Sequence, residues 1–221
     1  LGIISISILF IPTLLLPKKG VHFGGRLMGI WTRVCLKIFL NVNITVKGLE
    51  NIPNDKKYFV VCSHQSMFET FYLQTIFKSS VFILKKELMK IPLFGSYLKK
   101  MGCVSIDRNK ISKENLGFTG LVEKVLNDKG DTLIIFPQGT RKDHKDRSKF
   151  KKGFARIYSD FQINCLPIAI NSGKTWPKSF FLKSKQNITV SILKPFEPGQ
   201  DLEKFSKEVE SLIYKELNLI N

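Results

Sequence analysis

The sequence predicts an α/β fold with a mixed, largely buried β-sheet flanked by helices. Two observations carry this expectation. From residue 41 onward, short apolar runs of strand length alternate with stretches of helical periodicity, the pattern of a layered domain built around one sheet. The chain has 221 residues, 43% of them hydrophobic, enough for one substantial core and at most a small appendage. A third observation sets the first forty residues apart, because they hold an uncharged apolar run followed by an amphipathic one.

The uncharged run is LGIISISILFIPTLLL, residues 1–16, closed by Pro17-Lys18-Lys19. As a helix it would reach about 24 Å, short of the roughly 30 Å hydrocarbon slab of a bilayer. A cleavable signal peptide fits poorly, since the basic residues come after the run and no small-residue cleavage site appears. The chain opens on Leu1 rather than a methionine, consistent with further apolar sequence upstream. Residues 23–40, FGGRLMGIWTRVCLKIFL, interleave Arg26, Arg33 and Lys37 with Leu27, Ile30, Trp31, Val34, Leu36 and Ile38. That pattern suits a helix with a basic stripe and a tryptophan anchor lying in a headgroup layer, although a helix packed on the domain would read similarly. Residues 1–40 are therefore expected to form a two-helix membrane anchor, and residues 41–221 the α/β domain. Lys18, Lys19 and Arg26 direct the α/β domain to the cytoplasmic side by the positive-inside tendency.

Within the α/β region the expected strands run over 42–46, 58–62, 81–84, 103–106, 132–136, 164–170 and 188–193. Helical patterns fall near 66–77, 86–100, 112–128, 151–160 and 201–218. No internal repeat, low-complexity tract or linker interrupts them. The charge-dense RKDHKDRSKFKK at 141–152 reads as a mobile surface segment or a lid over substrate.

The 35 Lys and Arg against 18 Asp and Glu give a net charge of +17, which implies an anionic partner: a phospholipid surface, a phosphorylated substrate or nucleic acid. Nucleic acid ranks last, because no recognition helix, finger or aromatic RNA-binding strand is present. Cys35, Cys62, Cys103 and Cys165 are widely spaced among apolar neighbours, so they read as small buried hydrophobes in a reducing compartment. With His22, His64 and His144 the only histidines and none at ligand spacing, no metal is expected.

Residues 63–69, SHQSMFE, hold the most specific local signal. His64 falls just past an expected strand, where α/β sheets gather ligand and catalytic groups. Two positions five apart point about 140° away from each other on a helix, so His64 and Glu69 meet only if the histidine sits in the loop and the acid in the first helical turn. Ser66 and Glu69 also have the spacing of a capping box, in which the acid merely bonds the Ser66 amide. Both readings of Glu69 stand on the local sequence. A serine-hydrolase reading finds no GxSxG elbow.

Three later blocks accompany SHQSMFE: GCVSIDRNK at 102–110, IIFPQGTRKD at 134–143 and CLPIAINSG at 165–173. In order and spacing the four resemble the lysophosphatidic acid acyltransferase family, the bacterial-type 1-acyl-sn-glycerol-3-phosphate acyltransferases, from about Val46 to Lys194. The family's HxxxxD is met by His64 and Glu69. Its apolar strand ending in Asp-Arg is met by Gly102, Ile106, Asp107 and Arg108, and its FPEGTR by Phe136, Pro137, Gln138, Gly139, Thr140 and Arg141. The proline-entered strand is Leu166, Pro167, Ile168 and Ala169, while LKKELMKIPLFG resembles a segment that would make Lys85 a substrate-site lysine.

The resemblance implies the glycerolipid acyltransferase fold, with His64 as base and Glu69 as its orienting acid. It also implies that Lys85, Asp107, Arg108, Gln138, Gly139, Thr140 and Arg141 bind substrate. Two departures matter: Glu69 stands where the family has aspartate, and Gln138 where it has glutamate. The expected reaction moves a fatty acyl group from acyl-CoA or acyl carrier protein to the sn-2 hydroxyl of lysophosphatidic acid, with no cofactor, at the cytoplasmic face of a bacterial inner membrane. The alternatives are an acyltransferase for another lysophospholipid or glycerol phosphate, and a non-catalytic basic membrane-binding protein of the same fold. Histidine suits proton removal from a hydroxyl near neutral pH, a carboxylate on its far nitrogen fixes the tautomer, and arginine's planar fork matches a phosphomonoester.

Overall fold

The computed structural model describes residues 11–54, 57–106, 116–128, 130–178 and 182–221. Within them the α/β expectation holds: seven strands, mostly parallel, alternate with helices. The contacts divide the chain into two compact units, one of residues up to Gly29 with Leu73–Ile134, the other of Ile30–Tyr72 with Ile135–Asn221.

In the second unit the strand order is β1-β7-β6-β2, with β1 Asn43–Lys47, β2 Tyr58–Cys62, β6 Asn164–Ile170 and β7 Asn187–Ile192. β1 pairs β7 and β2 pairs β6 in parallel, whereas β6 and β7 are antiparallel, so the sheet is mixed. Every residue of β6 is buried, which explains its unbroken apolar run. Pro167 lies where the regular β6–β7 ladder ends, between the Ile168–Ile192 pair and the isolated Cys165–Phe196 bridge. The Pro167 carbonyl still accepts the Leu193 amide (2.9 Å), but the return bond is missing, because proline has no N–H to donate.

In the first unit the order is β5-β3-β4, all parallel, with β3 Ser79–Lys85, β4 Val104–Ile106 and β5 Asp131–Ile135. The helix expected over 86–100 is divided. A 3-10 turn covers Lys86–Lys90, and a helix resumes at Phe94–Lys100, because Pro92 cannot continue the first segment and restricts the residue before it.

Among the described residues the helices, in chain order, are α1 Ile11–Leu15, α2 Lys18–Leu40, α3 Phe68–Ile76, α4 Phe94–Lys100, α5 Leu116–Asn127, α6 Gly153–Phe161 and α7 Leu202–Ile220. α7 starts on Asp201, whose carboxylate accepts from the Lys204 amide (2.9 Å), a side-chain N-cap. It buries Phe205, Val209, Ile213 and Leu217, one stripe at helical spacing, and stacks Phe205 on Tyr158 of α6 with ring centroids 3.7 Å apart.

α2 begins five residues before the expected amphipathic stretch and has two faces. Val21, His22, Thr32 and Leu36 are buried, while Phe23, Leu27, Ile30, Trp31, Val34 and Ile38 are exposed, Trp31 by 62%. At 100° per residue those six share one stripe, and the exposed Lys19, Arg26, Arg33 and Lys37 line one edge of it. No helix among the described residues is long and apolar enough to cross a membrane. Most of the uncharged run, residues 1–10, lies outside the described residues.

Candidate active site

The second unit gathers the SHQSMFE loop, the Phe136–Arg141 turn and the end of β6. β2 delivers His64 one residue past Ser63, whose hydroxyl accepts the Ile170 amide (2.9 Å) and whose own amide donates to the Ile168 carbonyl (3.0 Å). The His64 backbone is then held on both sides. Its N–H donates to Gln138 Oε1 (2.8 Å) and its carbonyl accepts the Lys142 amide (2.8 Å). The imidazole stacks on Phe136, centroids 4.0 Å apart and planes 16° from parallel, which restricts its rotation.

Glu69 sits at the second position of α3 and is wholly buried. Its Oε1 accepts the Gln65 amide (3.1 Å), the Ser66 amide (3.2 Å) and the Ser172 hydroxyl (2.5 Å); Oε2 also accepts the Ser66 amide (3.0 Å). Oε2 faces His64 Nδ1 at 3.5 Å. The two readings of SxxE are thus two contacts of one carboxylate. The reciprocal half of the local cap is Ser66 Oγ, which accepts the Phe68 amide (2.8 Å). A buried carboxylate needs this many donors, because leaving its lone pairs unmet inside the protein costs more than the bonds return. His64 Nδ1 is buried with no hydrogen-bond partner in this resting geometry, while the side chain as a whole keeps 15% of its surface open. Beside the pair, burial and then the Glu69 charge push the Cys62 thiol well above its usual range.

Phe136 to Gly139 form a tight turn in which the Gly139 amide donates to the Phe136 carbonyl (2.9 Å) at a φ of +73°. Glycine is needed at that left-handed position, and its amide is already committed within the turn. Gln138 is buried and holds the His64 amide, Thr140 comes directly after the turn, and Arg141 is half-buried with no ion pair among the described residues. Lys85 lies in the first unit, paired with Glu87 at 2.9 Å, and this pairing holds the Glu87 carboxyl below its usual range. Asp107 and Arg108 lie outside the described residues. No cluster of three potential metal ligands occurs among the described residues.

Residues 141–152 have no regular secondary structure, as expected, but they are pinned to α7 rather than loose. The Arg147 guanidinium donates to Asn218 Oδ1 (2.6 and 3.2 Å), the Phe150 amide to Glu210 Oε2 (2.5 Å), and the Tyr214 hydroxyl to the Ser148 carbonyl. Sequence reasoning passed over Gln65 and Ser172. Ser172 stands in the CLPIAINSG block, but nothing local ties its hydroxyl to an acid 103 residues away.

The α/β sheet thus brings a buried acid to face a stacked histidine, beside a glycine turn whose glutamine holds the histidine's backbone. The chain belongs to the Acyltransferase family, whose model matches residues 43–171 and so includes His64, Glu69, Gln138 and Arg141. It is 34% identical over 167 residues to the 1-acyl-sn-glycerol-3-phosphate acyltransferase of Pseudomonas aeruginosa, covering 73% of this chain and 63% of that protein. The Helicobacter pylori enzyme of the same name is 28% identical over 189 residues, covering 83% of this chain and 78% of that one. The crystal structure of the 1-acyl-sn-glycerophosphate (LPA) acyltransferase PlsC from Thermotoga maritima superposes with a TM-score of 0.72 at 25% identity, covering 92% of this chain and 82% of that one. The chain spans 63% of the length of the Pseudomonas relative and 55% of the chloroplast relative from Arabidopsis thaliana.

Proposed function

We propose that this protein transfers a fatty acyl group from a thioester to the sn-2 hydroxyl of lysophosphatidic acid, giving phosphatidic acid. The observation that carries the reading is the contact of His64 Nδ1 with buried Glu69 Oε2 at 3.5 Å, on a ring stacked against Phe136. A proton held on Nδ1 toward the carboxylate leaves Nε2 as the base. It takes the acceptor hydroxyl's proton as the oxygen attacks the thioester carbonyl, and the carboxylate stabilises the resulting imidazolium. Collapse of the tetrahedral adduct breaks the carbon–sulfur bond, and the proton passes to the departing thiolate. No acyl-enzyme and no cofactor is required. Arg141, half-buried and without an ion pair among the described residues, suits the acceptor's phosphomonoester, whose oxygens match a guanidinium fork.

The donor is acyl-CoA or acyl carrier protein, both anionic and both favoured by the +17 charge. The exposed stripe of α2 with its basic edge supports attachment to an anionic bilayer at the cytoplasmic face. Drawing a lipid acceptor wholly into water would cost about 0.8 kcal/mol per methylene, and working at the interface avoids most of that.

The test is thiol release by the purified protein in mixed micelles, with both donor types and a panel of lysolipid acceptors. Turnover on lysophosphatidic acid that disappears in His64→Ala, with vesicle binding retained, is the expected result. A wild-type protein inert on every acceptor would overturn the proposal in favour of a passive membrane binder.

A further inference from the structure

We infer that Ser172, at the end of β6, is a positioning residue for the His64–Glu69 pair; the inference rests on the acyl-transfer reading of that pair. The two oxygens of the Glu69 carboxylate are equivalent, but its plane turns about a broad terminal torsion, so something must hold that plane with an oxygen toward the ring. The Ser66 amide is shared between both oxygens (3.2 and 3.0 Å). The Gln65 amide and the Ser172 hydroxyl both bond the oxygen turned away from the imidazole, at 3.1 and 2.5 Å, and so hold the plane in which the other oxygen faces the ring.

These two donors differ in kind. Gln65 lies in the same loop as the acid and comes with the capping box, so it stays with Glu69 wherever that loop goes. Ser172 comes from 103 residues further along the chain and ties the carboxylate to the sheet that also fixes His64, through Ser63 and the Ile168 and Ile170 backbone. Ser172 and Glu69 are both wholly buried, which excludes competing water and makes the bond directional.

The next residue adds a second tie. The Gly173 amide donates to Gln65 Oε1 (2.9 Å), and a Cβ at Gly173 would meet that oxygen at 2.9 Å and the Gln65 Cβ at 3.0 Å. The pair Ser172-Gly173 therefore grips the catalytic loop at two points, and the second grip needs glycine.

This role differs from a structural one. The cap on α3 uses the Gln65 and Ser66 amides and survives without Ser172, so loss of the hydroxyl is expected to spare the fold and to free the carboxylate's orientation. The experiment is Ser172→Ala in the full chain, with Ser172→Cys as a volume-conserving variant that keeps a weaker donor. Expected are a kcat lowered about ten- to a hundredfold with KM for the acceptor unchanged, and an intermediate loss for Ser172→Cys. In a Glu69→Ala background, Ser172→Ala should add at most about twofold, because its effect travels through the acid.

Imidazole nitrogen NMR of the detergent-solubilised protein reads the same point without turnover: a single Nδ1–H tautomer of His64 in the wild type, a mixed one in Ser172→Ala. A kcat within about twofold of wild type, full multiplication of the two effects, or an unchanged tautomer would each overturn the inference. An inactive wild type that nevertheless shows the tautomer shift would leave Ser172's role standing and remove the acyl-transfer reading instead.

Discussion

His64 Nδ1 lies 3.5 Å from Glu69 Oε2, while the same carboxylate accepts the backbone amides of Gln65 and Ser66. One acid thus starts a helix and faces the imidazole, so the geometry of the pair is only as good as the start of α3.

Replacing Glu69 by Gln keeps its size but turns one acceptor oxygen into a donor, against amides that also donate. The variant is expected to lose kcat by at least about a hundredfold and to melt earlier, by about 1–3 kcal/mol of stability. Glu69→Asp keeps the charge but withdraws it from Ser172, with a smaller loss of kcat. Steady-state kinetics and thermal melts check both.

Arg141 and Lys142 separate forked recognition from general charge. Lys142 is already paired with Asp146 at 3.3 Å, whereas Arg141 has no ion pair among the described residues. Arg141→Lys should raise KM for lysophosphatidic acid about tenfold and Lys142→Ala by less than about threefold. Equal effects would mean that the phosphate senses only total charge.

Burial, reinforced by the Glu210 charge, pushes the Tyr214 phenol up to about 12. The folded state therefore favours the neutral phenol, and its contribution to stability is complete below about pH 10 and lost as pH rises through about 12. Denaturant midpoints from pH 9 to 12 should fall over that window, and Tyr214→Phe should flatten the fall. Ultraviolet difference spectra should show late tyrosine ionisation that shrinks in Tyr214→Phe.

Burial likewise raises the Cys103 thiol to about 12 and lifts Cys62 and Cys165 well above their usual range. Native protein treated with iodoacetamide at about pH 8 should carry one fast adduct, at the half-buried Cys35. Peptide mass spectrometry reads the site. Rapid labelling of Cys62 would contradict the sealed environment beside Glu69.

Much of the fold was legible locally. Strands Tyr58–Cys62 and Asn164–Ile170 fall where their apolar runs begin and end, because strand identity rests on burial and the burial signal is unambiguous there. The helix expected over 86–100 is divided because a proline's local veto outweighed the helical periodicity around it. The segment 141–152 looked free because its charges are many, yet its anchors, Asn218, Glu210 and Tyr214, all lie on a helix more than fifty residues later.

The site shows the same division. The residue types and spacing of SHQSMFE and FPQGTR fixed which groups are chemical candidates, since a base, an acid, a glycine turn and an arginine are properties of side chains alone. Tertiary structure decided that Gln138 holds the His64 amide, that the Gly139 amide is spent within its own turn, and that the Ser172 hydroxyl bonds the Glu69 carboxylate facing the ring. Hydrogen-bond partners separated by about a hundred residues are chosen by strand register and loop closure, which sum contributions from the whole chain and leave no local trace at either partner.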